Sequence, residues 1–167
     1  MPLRIREETP ADQAAIHALT EAAFRNAPHT SHTEQWIVDA LRKAGALAIS
    51  LIAEDEDGIV GHVAVSPVAL SDGSTGWFGL GPISVAPERQ KQGIGAMLTK
   101  LALDTLCARG AAGCVVLGDP AYYARFGFMP EPTLVLPGVP AEYFQAMALR
   151  GDVPAANVRY HTAFEAR

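Results

Sequence analysis

The sequence predicts an α/β (α+β) fold with a mixed, mostly antiparallel sheet, and three observations support this. Apolar runs separated by Asp-, Ser- and Gly-rich turns, such as Asp55-Glu56-Asp57-Gly58, predict consecutive antiparallel strands. A long amphipathic segment at 92–109 predicts a helix. The short apolar run Cys114–Gly118 comes after that helix and is bounded by glycines, as a buried parallel strand is. The last two features together predict a parallel β-α-β unit.

Before that unit the chain predicts strands and two helices. Thr9 as N-cap and Pro10 at the first helical position begin the first helix. The predicted segments are a strand at 3–7, a helix from Thr9, a loop at 26–32, a helix at 32–43 and strands at 47–54, 59–70 and 77–85. Helical spacing predicts these inward-facing residues: Ile16, Leu19, Ala23 and Phe24; Trp36, Ile37, Ala40 and Leu41; Ile94, Met97, Leu98 and Leu101.

The last third of the chain is harder to assign. A short helix is predicted between Asp119, its N-cap, and Gly127, which stops it. The proline-rich tail predicts a helical turn near 142–149 and a last strand at 158–164. Upstream, Pro82 lies inside an apolar strand and has no N–H, so we expect an edge strand or a bulge there.

Length and composition set the broad class. The 167 residues predict one domain, 1–167, with a substantial core. A net charge of −5, from 13 basic and 18 acidic side chains, argues against nucleic-acid binding. No uncharged run is long enough to span a membrane, and residues 1–8 lack the apolar core of a signal peptide. With only Cys107 and Cys114, no disulfide framework is expected, and the sequence fits a reducing cytoplasm.

The segment from Ile83 to Ala96 carries the strongest functional signal. It predicts a strand, a turn with glycines at 93 and 95, and the start of the long helix. Glycines let a ligand approach the backbone, and the first amides of a helix attract an anion, so the segment predicts a pyrophosphate site. A glycine-rich connection without a ligand is the simpler alternative. A dinucleotide fingerprint would need a glycine at Leu98, and the Gly-Lys-Ser/Thr of a P-loop is absent.

The pattern Gln90-x-x-Gly93-x-Gly95 resembles the acyl-CoA-binding motif of the GNAT (Gcn5-related) N-acetyltransferases. Two further segments, Gly118-Asp119-Pro120-x-x-Tyr123-x-Arg125-Phe126-Gly127-Phe128 and Tyr160-His161-x-Ala163-Phe164, are similar to its YhbS-like branch. The order of predicted elements matches this family along the whole chain. The resemblance implies a central sheet of about seven strands with helices on both faces. It also implies a splay between the fourth and fifth predicted strands, 77–85 and 114–118.

The resemblance implies acetyl-CoA as co-substrate and assigns roles to individual residues. The Ile83 amide would bond the thioester carbonyl and stabilise the oxyanion, and Tyr123 would face the CoA sulfur, with packing as its alternative role. Asp119 is first an N-cap, and Tyr122 is expected in the core. The implied catalytic residues are Tyr123 and Ile83. The implied cofactor-binding residues are Ile83, Ser84, Val85, Gln90, Lys91, Gln92, Gly93, Ile94, Gly95, Ala96, Asp119 and Tyr123.

The acceptor side is less defined. Many family members use a glutamate on the fourth strand as the general base that takes the amine proton. Residues 77–80 contain no acid, so the identity of the general base is in doubt. His62, which alternates with Ser66 on one strand face, could serve, although a structural histidine or a water relay explains the pattern as well. The pair His29-x-x-His32 has no third ligand, so no metal is expected. The candidate acceptor-binding residues are His29, His32, Glu34 and His62.

These observations lead to an interpretation with one main alternative. The chain is interpreted as an acetyl-CoA-dependent N-acetyltransferase that acetylates a primary amine by direct attack in a ternary complex. A non-catalytic acyl-CoA-binding sensor or regulatory module of the same fold is the alternative. A hydrolase would need a Gly-x-Ser-x-Gly elbow, which the chain lacks. The expected partner is a small-molecule or peptide amine, with no nucleic acid and no membrane, and a homodimer is compatible with the sequence.

Overall fold

The structure is a computed structural model that describes residues 2–28 and 30–167. The prediction for His29 therefore lies outside the described residues. The strands are β1 (Arg4–Glu7), β2 (Ile49–Asp55), β3 (Gly58–Pro67), β4 (Ala69–Leu70), β5 (Trp77–Val85), β6 (Gly113–Leu117), β7 (Met129–Pro130), β8 (Leu134–Val135), β9 (Phe144–Ala148) and β10 (Ala156–Arg159). The α-helices are α1 (Gln13–Phe24), α2 (Glu34–Lys43), α3 (Ile94–Ala108) and α4 (Pro120–Tyr123). Short 3₁₀ turns lie at Pro10–Asp12, Pro87–Arg89, Ala124–Phe126, Ala141–Tyr143 and Thr162–Glu165.

Seven strands form one mixed sheet in the order β1-β2-β3-β5-β6-β9-β7, which confirms the predicted fold class. β2 pairs antiparallel with β1 and β3, and β9 pairs antiparallel with β6 and β7. β5 and β6 are parallel, and α3 connects them, as the β-α-β prediction requires. A second sheet has the order β4-β10-β8. No helix among the described residues is long and apolar enough to cross a membrane.

The chain divides into two compact units. The first unit comprises the chain up to Val65, Gly81–Ala102 and Thr162–Arg167, and the second comprises Ser66–Leu80 and Leu103–His161. Because β3, β5 and α3 cross this division, each contributes residues to both units. The assignment of 1–167 to a single domain stays a prediction.

In the first unit, helices pack on both faces of the strands. Ile16 of α1 and Val38 of α2 form a buried cluster with Ile52 of β2 and Ala64 of β3. Gly61 points to the other face, since alternate residues of a strand face opposite sides. A Cβ at Gly61 would lie 2.8 Å from the Cγ2 atom of Ile94, so this glycine lets the start of α3 approach the sheet closely.

The second unit has its own apolar core. Its buried residues are Leu70, Trp77, Val115, Leu134, Phe144, Ala146 and Val158. Trp77 of β5 lies over Gly113 of β6, where a Cβ would come within 2.4 Å of the indole ring. The recorded register of β5 with β6 runs from Trp77–Gly113 to Leu80–Val116. Ile83 lies beyond its last pair, and the predicted splay of the sheet past that point stays a prediction.

The tail corrects one prediction. The predicted helical turn at 142–149 is wrong for most of its length, because only Ala141–Tyr143 is helical and Phe144–Ala148 is strand β9. β9 lies between β6 and β7, so strand neighbours on both sides take its backbone hydrogen bonds. The predicted last strand, 158–164, is also too long, because β10 ends at Arg159 and a 3₁₀ turn follows at Thr162. Pairing with distant strands decides the structure of both segments, and local apolar spacing does not encode that pairing.

The helix boundaries and faces also differ in detail. Thr9 caps a 3₁₀ turn in which the Asp12 carboxylate accepts the Thr9 backbone N–H at 2.6 Å, and α1 begins only at Gln13. α2 begins at Glu34 and α3 at Ile94, each two residues later than expected. The predicted inner faces are wrong at Trp36, Met97 and Leu101, which are 45%, 44% and 37% exposed. Val38, Ala102 and Leu106 are buried instead, so the inner stripes are rotated relative to the prediction.

Candidate active site

The end of β5, in the first unit, presents two faces. Pro82, Ser84 and Ala86 are buried, whereas Ile83 and Val85 are half-buried on the alternate side. The hydroxyl of Ser84 lies 3.4 Å from the Thr20 hydroxyl of α1. The Ser84 side chain is therefore taken up in the interior, and only its backbone is available to a ligand.

The turn after β5 is held by an arginine rather than by apolar packing. The guanidinium of Arg89 bonds the Asp55 carboxylate at 2.7 Å and the side-chain oxygen of Gln92 at 3.2 Å. The Arg89 hydrogen bond is the main cause that lowers the pKa of Asp55. Gln90 donates its amide N–H to the Val85 carbonyl at 3.2 Å. The predicted cofactor-binding residues Gln90 and Gln92 thus shape the turn.

Gly93 sits at the start of α3 in an open position. Its φ of +86° is in the left-handed region, and a Cβ there would meet no atom within 4 Å. The Gly93 carbonyl accepts the Met97 N–H at 3.1 Å, so Gly93 caps the helix. The amides of Ile94, Gly95 and Ala96 belong to the first turn, which has no intrahelical acceptors and carries the positive end of the helix dipole. Open space in front of such amides is suited to an anion.

The second unit carries a tightly built turn directly after β6. The Asp119 carboxylate accepts the Ala121 N–H at 3.0 Å, which confirms its predicted role as N-cap of α4. Gly118 is fixed from both sides, since its N–H donates to the Tyr143 carbonyl at 2.9 Å and its carbonyl accepts from the Gln145 side chain at 3.1 Å.

Tyr123 extends from this turn and packs against it. A Cβ on Gly118 would lie 2.7 Å from Cε2 of the Tyr123 ring. The ring also makes edge contacts with Tyr122 and Phe128, with centroids 5.0 and 5.9 Å apart. Burial, assisted by Tyr122 and Asp119, raises the pKa of Tyr123 to about 12. Because this pKa lies far above neutral, the hydroxyl is a protonated phenol that can donate a hydrogen bond.

Sequence reasoning missed the surroundings of this tyrosine. Tyr160, noted only as part of a family signature, lies against Gly79, where a Cβ would come within 2.5 Å of its ring. Burial raises the pKa of Tyr160, and Cys114 and Tyr123 raise it further. The available signal was Gly79 itself, because a glycine inside an apolar strand often marks a close approach. Tyr122, expected in the core, is half-buried, with the Arg125 guanidinium 4.5 Å above its ring.

The predicted acceptor residues fall in different environments of the first unit. Glu34 accepts a hydrogen bond from the Thr30 hydroxyl through Oε2, while its Oε1 is buried and has no partner in the part of the chain that is described. His32 is exposed, with a φ of +59°. A cleft of about 240 Å³ lies beside it, lined by Glu21, Phe24, Arg25, His32 and Gln35.

His62 is fully buried, in a polar network rather than at a surface. Its Nε2 lies 2.8 Å from the Ser50 hydroxyl, which donates to Glu8, and Glu8 accepts two bonds from Arg42 at 2.8 and 2.9 Å. Burial tends to raise the pKa of Glu8, but the bonds from Arg42 and Ser50 outweigh it and lower the pKa overall. Glu8 is thus ionised and takes the Ser50 proton. His62 must then donate through Nε2, which leaves Nδ1 unprotonated and without a partner.

The described residues offer neither an acid on β5 nor a metal site. The β5 segment Trp77–Leu80, where the family resemblance implies a glutamate, holds no acid. Within residues 2–28 and 30–167, no group of three His, Cys, Asp or Glu side chains is arranged to hold a metal ion.

Comparison with known proteins gives the family. Residues 47–130 match the model of the acetyltransferase (GNAT) domain. N-acetyltransferase YhbS of Escherichia coli (strain K12) is 39% identical over 125 residues, which cover 74% of this chain and 72% of that protein.

Two solved structures are similar over nearly the whole chain. A GNAT family acetyltransferase from Brucella melitensis, in complex with acetyl-CoA, is 46% identical with a TM-score of 0.87 and covers 98% of both chains. YhbS from Escherichia coli, in complex with CoA, is 34% identical with a TM-score of 0.88 and covers 98% of this chain and 92% of that one. The chain therefore belongs to the GNAT acetyltransferase family, within its YhbS-like branch.

Proposed function

We propose that this protein is an acetyl-CoA-dependent N-acetyltransferase that acetylates a primary amine by direct attack in a ternary complex. Membership of the GNAT family supports the reaction class. The Brucella melitensis relative binds acetyl-CoA and YhbS binds CoA, which supports the co-substrate. The residues of this chain fit that co-substrate, because the space at Gly93 is open and would be narrowed by any side chain.

The turn from Gln90 to Ala96 would hold the pyrophosphate. The amides of Gln92, Gly93, Gly95 and Ala96 would donate to its oxygens, and exposed Lys91 supplies a positive charge beside them. Arg89 is occupied by Asp55, so its role is to hold the turn in shape. Such a pre-formed site loses little conformational entropy when it binds.

Ile83 and Val85 would align the thioester end of acetyl-CoA. In the proposal, the Val85 backbone bonds the pantetheine arm and the Ile83 N–H donates to the thioester carbonyl. Acetyl-CoA supplies an acetyl group already activated as a thioester. A fixed backbone donor polarises that carbonyl and stabilises the negative charge that develops on its oxygen.

The catalytic part of the proposed function depends on the position and protonation of Tyr123. Its hydroxyl is protonated at neutral pH, and its ring packs against Gly118. The departing thiolate has a parent pKa near 8.5, below the pKa of about 12 of this phenol, so the positioned hydroxyl would stabilise it by donating a hydrogen bond and would pass on its proton only if the bound complex lowered that pKa. We assign this role to the Tyr123 hydroxyl.

The amine would be received on the side of residues 26–34. Glu34 offers a buried carboxylate oxygen without a partner, which an ammonium group could satisfy. No acid stands at 77–80 to take the amine proton, so we propose that this proton leaves through water. His62 is not suited to direct contact, because none of its surface is exposed; its assignment to the acceptor stays a prediction. Both cysteines are free, in keeping with the cytoplasmic location that we propose.

Thiol release measured with acetyl-CoA and a panel of primary amines tests the proposal. We expect amine-dependent release of CoA with a matching acetylated product, and initial-rate patterns that require both substrates to be bound together. Acetyl-CoA binding without turnover of any amine would instead support the non-catalytic binding module. Product release from acetyl-CoA alone, before an amine is added, would contradict direct attack.

A further inference from the structure

Gln145 is a buried amide on an otherwise apolar strand of the second unit. It is 1% exposed and lies on β9 between Phe144 and Ala146, both of which belong to the apolar core. β9 pairs with β6 on one side and with β7 on the other, so two neighbouring strands hold the backbone of Gln145. Burial of an amide is unfavourable unless its hydrogen bonds are made. The partners of the Gln145 side chain therefore indicate what it contributes.

The side-chain nitrogen of Gln145 donates to two backbone carbonyls. It lies 3.1 Å from the carbonyl oxygen of Gly118 and 3.3 Å from that of Glu142. These contacts fix the orientation of the amide, since the opposite orientation would place Oε1 against two carbonyl oxygens. Oε1 is buried and has no partner in the part of the chain that the structure describes. An apolar side chain of the same length would fill this space without an unpaired oxygen, so the two bonds from the nitrogen are the specific contribution of Gln145.

Gly118 needs such a restraint because it has to be a glycine. A side chain is excluded there, since a Cβ would lie 2.7 Å from the Tyr123 ring. Glycine is also the residue with the greatest backbone freedom, so this position is intrinsically loose. The Tyr143 carbonyl accepts the Gly118 N–H at 2.9 Å, and Gln145 holds the Gly118 carbonyl. Two residues at the start of β9 thus supply the rigidity that a glycine lacks.

The orientation of the Gly118 carbonyl is passed on to α4. The peptide group is planar, so a fixed carbonyl also fixes the N–H of Asp119 and the direction in which the chain continues. Asp119 begins the next turn, because its carbonyl accepts the Tyr123 N–H at 3.1 Å. The Tyr123 ring then packs back against Gly118. Residues 118–123 therefore form a closed turn, and Gln145 holds its first residue.

We propose that Gln145 is a positioning residue, which holds the Tyr123 ring in place by fixing the Gly118 carbonyl. Its effect on turnover rests on the proposed function, in which the Tyr123 hydroxyl donates a hydrogen bond to the departing thiolate. Gln145 itself touches neither acetyl-CoA nor the amine in this scheme. Such a hydrogen bond has a narrow range of productive distances, so a ring displaced by about 1 Å stabilises the thiolate poorly.

The first experiment removes the N–H groups and keeps the length of the side chain. Gln145→Met should lower kcat by about 10- to 100-fold, since a misplacement of about 1 Å costs up to 10²-fold. The KM for acetyl-CoA should stay within twofold, because the residues assigned to the pyrophosphate lie in the first unit. The control is Val158→Ala, which leaves a cavity in the same apolar core and should lower stability but keep wild-type kcat. An equal loss of kcat in both variants would overturn the inference.

The second experiment tests whether the effect passes through Tyr123. In the Tyr123→Phe background the hydroxyl is already absent, so adding Gln145→Met should change kcat by less than twofold. Residues that act through one another show such non-additive effects, whereas independent residues add. A full further loss of kcat in the double variant would overturn the inference.

The third experiment restores a donor by changing the pH. In Gln145→Glu, a protonated carboxyl can donate one hydrogen bond to a carbonyl, whereas the ionised form faces two carbonyl oxygens and repels them. Burial and these carbonyls raise the pKa of the introduced carboxyl. The kcat of Gln145→Glu, divided by that of wild type, should therefore rise as the pH falls from 8 to 5. A ratio that stays as low as that of Gln145→Met over the whole range would overturn the inference.

A spectroscopic measurement separates this inference from the proposed function. In protein labelled with carbon-13 tyrosine and free of substrate, the ring resonances of Tyr123 should shift in Gln145→Met and stay in place in Val158→Ala. Unchanged Tyr123 resonances in Gln145→Met would overturn the inference and leave the proposed function standing. Shifted resonances, together with wild-type turnover in Tyr123→Phe, would support the positioning contact and reject Tyr123 as the group that stabilises the thiolate.

Discussion

Two glycines, Gly93 and Gly118, stand at the start of two functional turns for opposite reasons. Gly93, in the first unit, has a φ of +86° and open space where a Cβ would be. Gly118, in the second unit, has no such backbone requirement, but a Cβ there would lie 2.7 Å from the Tyr123 ring. One glycine leaves open space, where we propose that a ligand binds, and the other leaves room for a neighbouring side chain. The same residue type in a motif therefore does not carry the same meaning.

The surroundings of the two turns differ in the same way. The Gly93 turn is held by charge, through Arg89 and Asp55, and its amides face open space. The Gly118 turn is held by backbone bonds, by Gln145 and by the contacts of the Tyr123 ring with three other aromatic rings. The first arrangement suits a site that is completed by a ligand, and the second suits a side chain that must be positioned before the ligand arrives. Substitutions in the two turns should therefore affect binding and turnover separately.

The largest expected effect is on turnover. Tyr123→Phe keeps the ring against Gly118 and removes only the hydroxyl, so kcat should fall by roughly 10²–10⁴-fold, the range for a positioned acid. Affinity for acetyl-CoA, measured by calorimetry, should change less than twofold. Tyr122→Phe is the matched control and should retain wild-type kcat. Wild-type turnover in Tyr123→Phe would assign this ring to packing alone.

The next effect is on cofactor binding. Gly93→Val places a branched side chain in the open space. At an acetyl-CoA concentration of 100 times Kd, binding should stabilise the wild-type protein by about 2.7 kcal/mol and raise its melting temperature. In Gly93→Val this rise in melting temperature should be lost. A non-glycine residue at positive φ costs roughly 1–3 kcal/mol by itself. Gly45→Val controls for that cost, because Gly45 also has a positive φ, +71°, and no atom within 4 Å of a Cβ. Both variants should be destabilised, but only Gly93→Val should lose the ligand shift.

A smaller effect is expected at the packed glycine. Gly118→Ala forces the Tyr123 ring to move by a fraction of an ångström or more, because a 2.7 Å separation is too short for two carbon atoms. Misplacement on this scale costs up to about 10²-fold in rate, so we expect kcat to fall 10- to 100-fold. Combined with Tyr123→Phe, the substitution should have little further effect on kcat. Additive losses would show that Gly118 acts independently of Tyr123.

The sequence predicts those features of the fold that depend on residues close together in the chain. The Asp119 cap, the hairpin at 55–58 and the parallel β5-α3-β6 unit follow from local residue preferences and periodicity, and the structure contains all three. The glycine turn was identified by its spacing, together with the resemblance to the family.

The parts that were wrong or missed depend on contacts between distant segments. The sequence predicts a helical turn where the structure has β9, because a short apolar run has no period that distinguishes a strand from a helix. Pairing with β6 decides that it is a strand. The exposure of Met97 and Leu101 depends on which side of α3 meets the sheet. The hydrogen bonds from Gln145 to Gly118 and between Ser50 and His62 join residues that are 27 and 12 positions apart, and no sequence motif predicts them.

A further prediction concerns the acceptor side of the first unit. Glu34→Gln removes the charge of a carboxylate whose Oε1 is buried without a partner, while the Thr30 hydroxyl can still bond the amide. We expect the KM for the amine to rise about fivefold to tenfold and the KM for acetyl-CoA to stay unchanged, since loss of a charged partner at this partly exposed side chain should cost about 1–1.4 kcal/mol, the lower end of the usual range. Glu56→Gln, an exposed acid of the β2–β3 turn in the same unit, is the control. A change in the acetyl-CoA KM alone would remove Glu34 from the acceptor site.

The smallest expected effect concerns His62, which is fully buried in the unit that carries the open Gly93 turn. Burial lowers the pKa of His62 to about 4, below its ordinary value near 6.5. The unfolded chain therefore binds the proton first, so the contribution of His62 is complete above pH 6.5 and is lost as the pH falls toward 4. Between pH 6.5 and 5.5 the free energy of unfolding should fall by about 1 kcal/mol from this group, as measured by urea denaturation. His62→Gln, which can still donate to Ser50, should be less stable at pH 7 but should lack this part of the pH dependence. An unchanged slope in His62→Gln would mean that His62 is not held neutral by burial, and would reopen it as a titrating group of the active site.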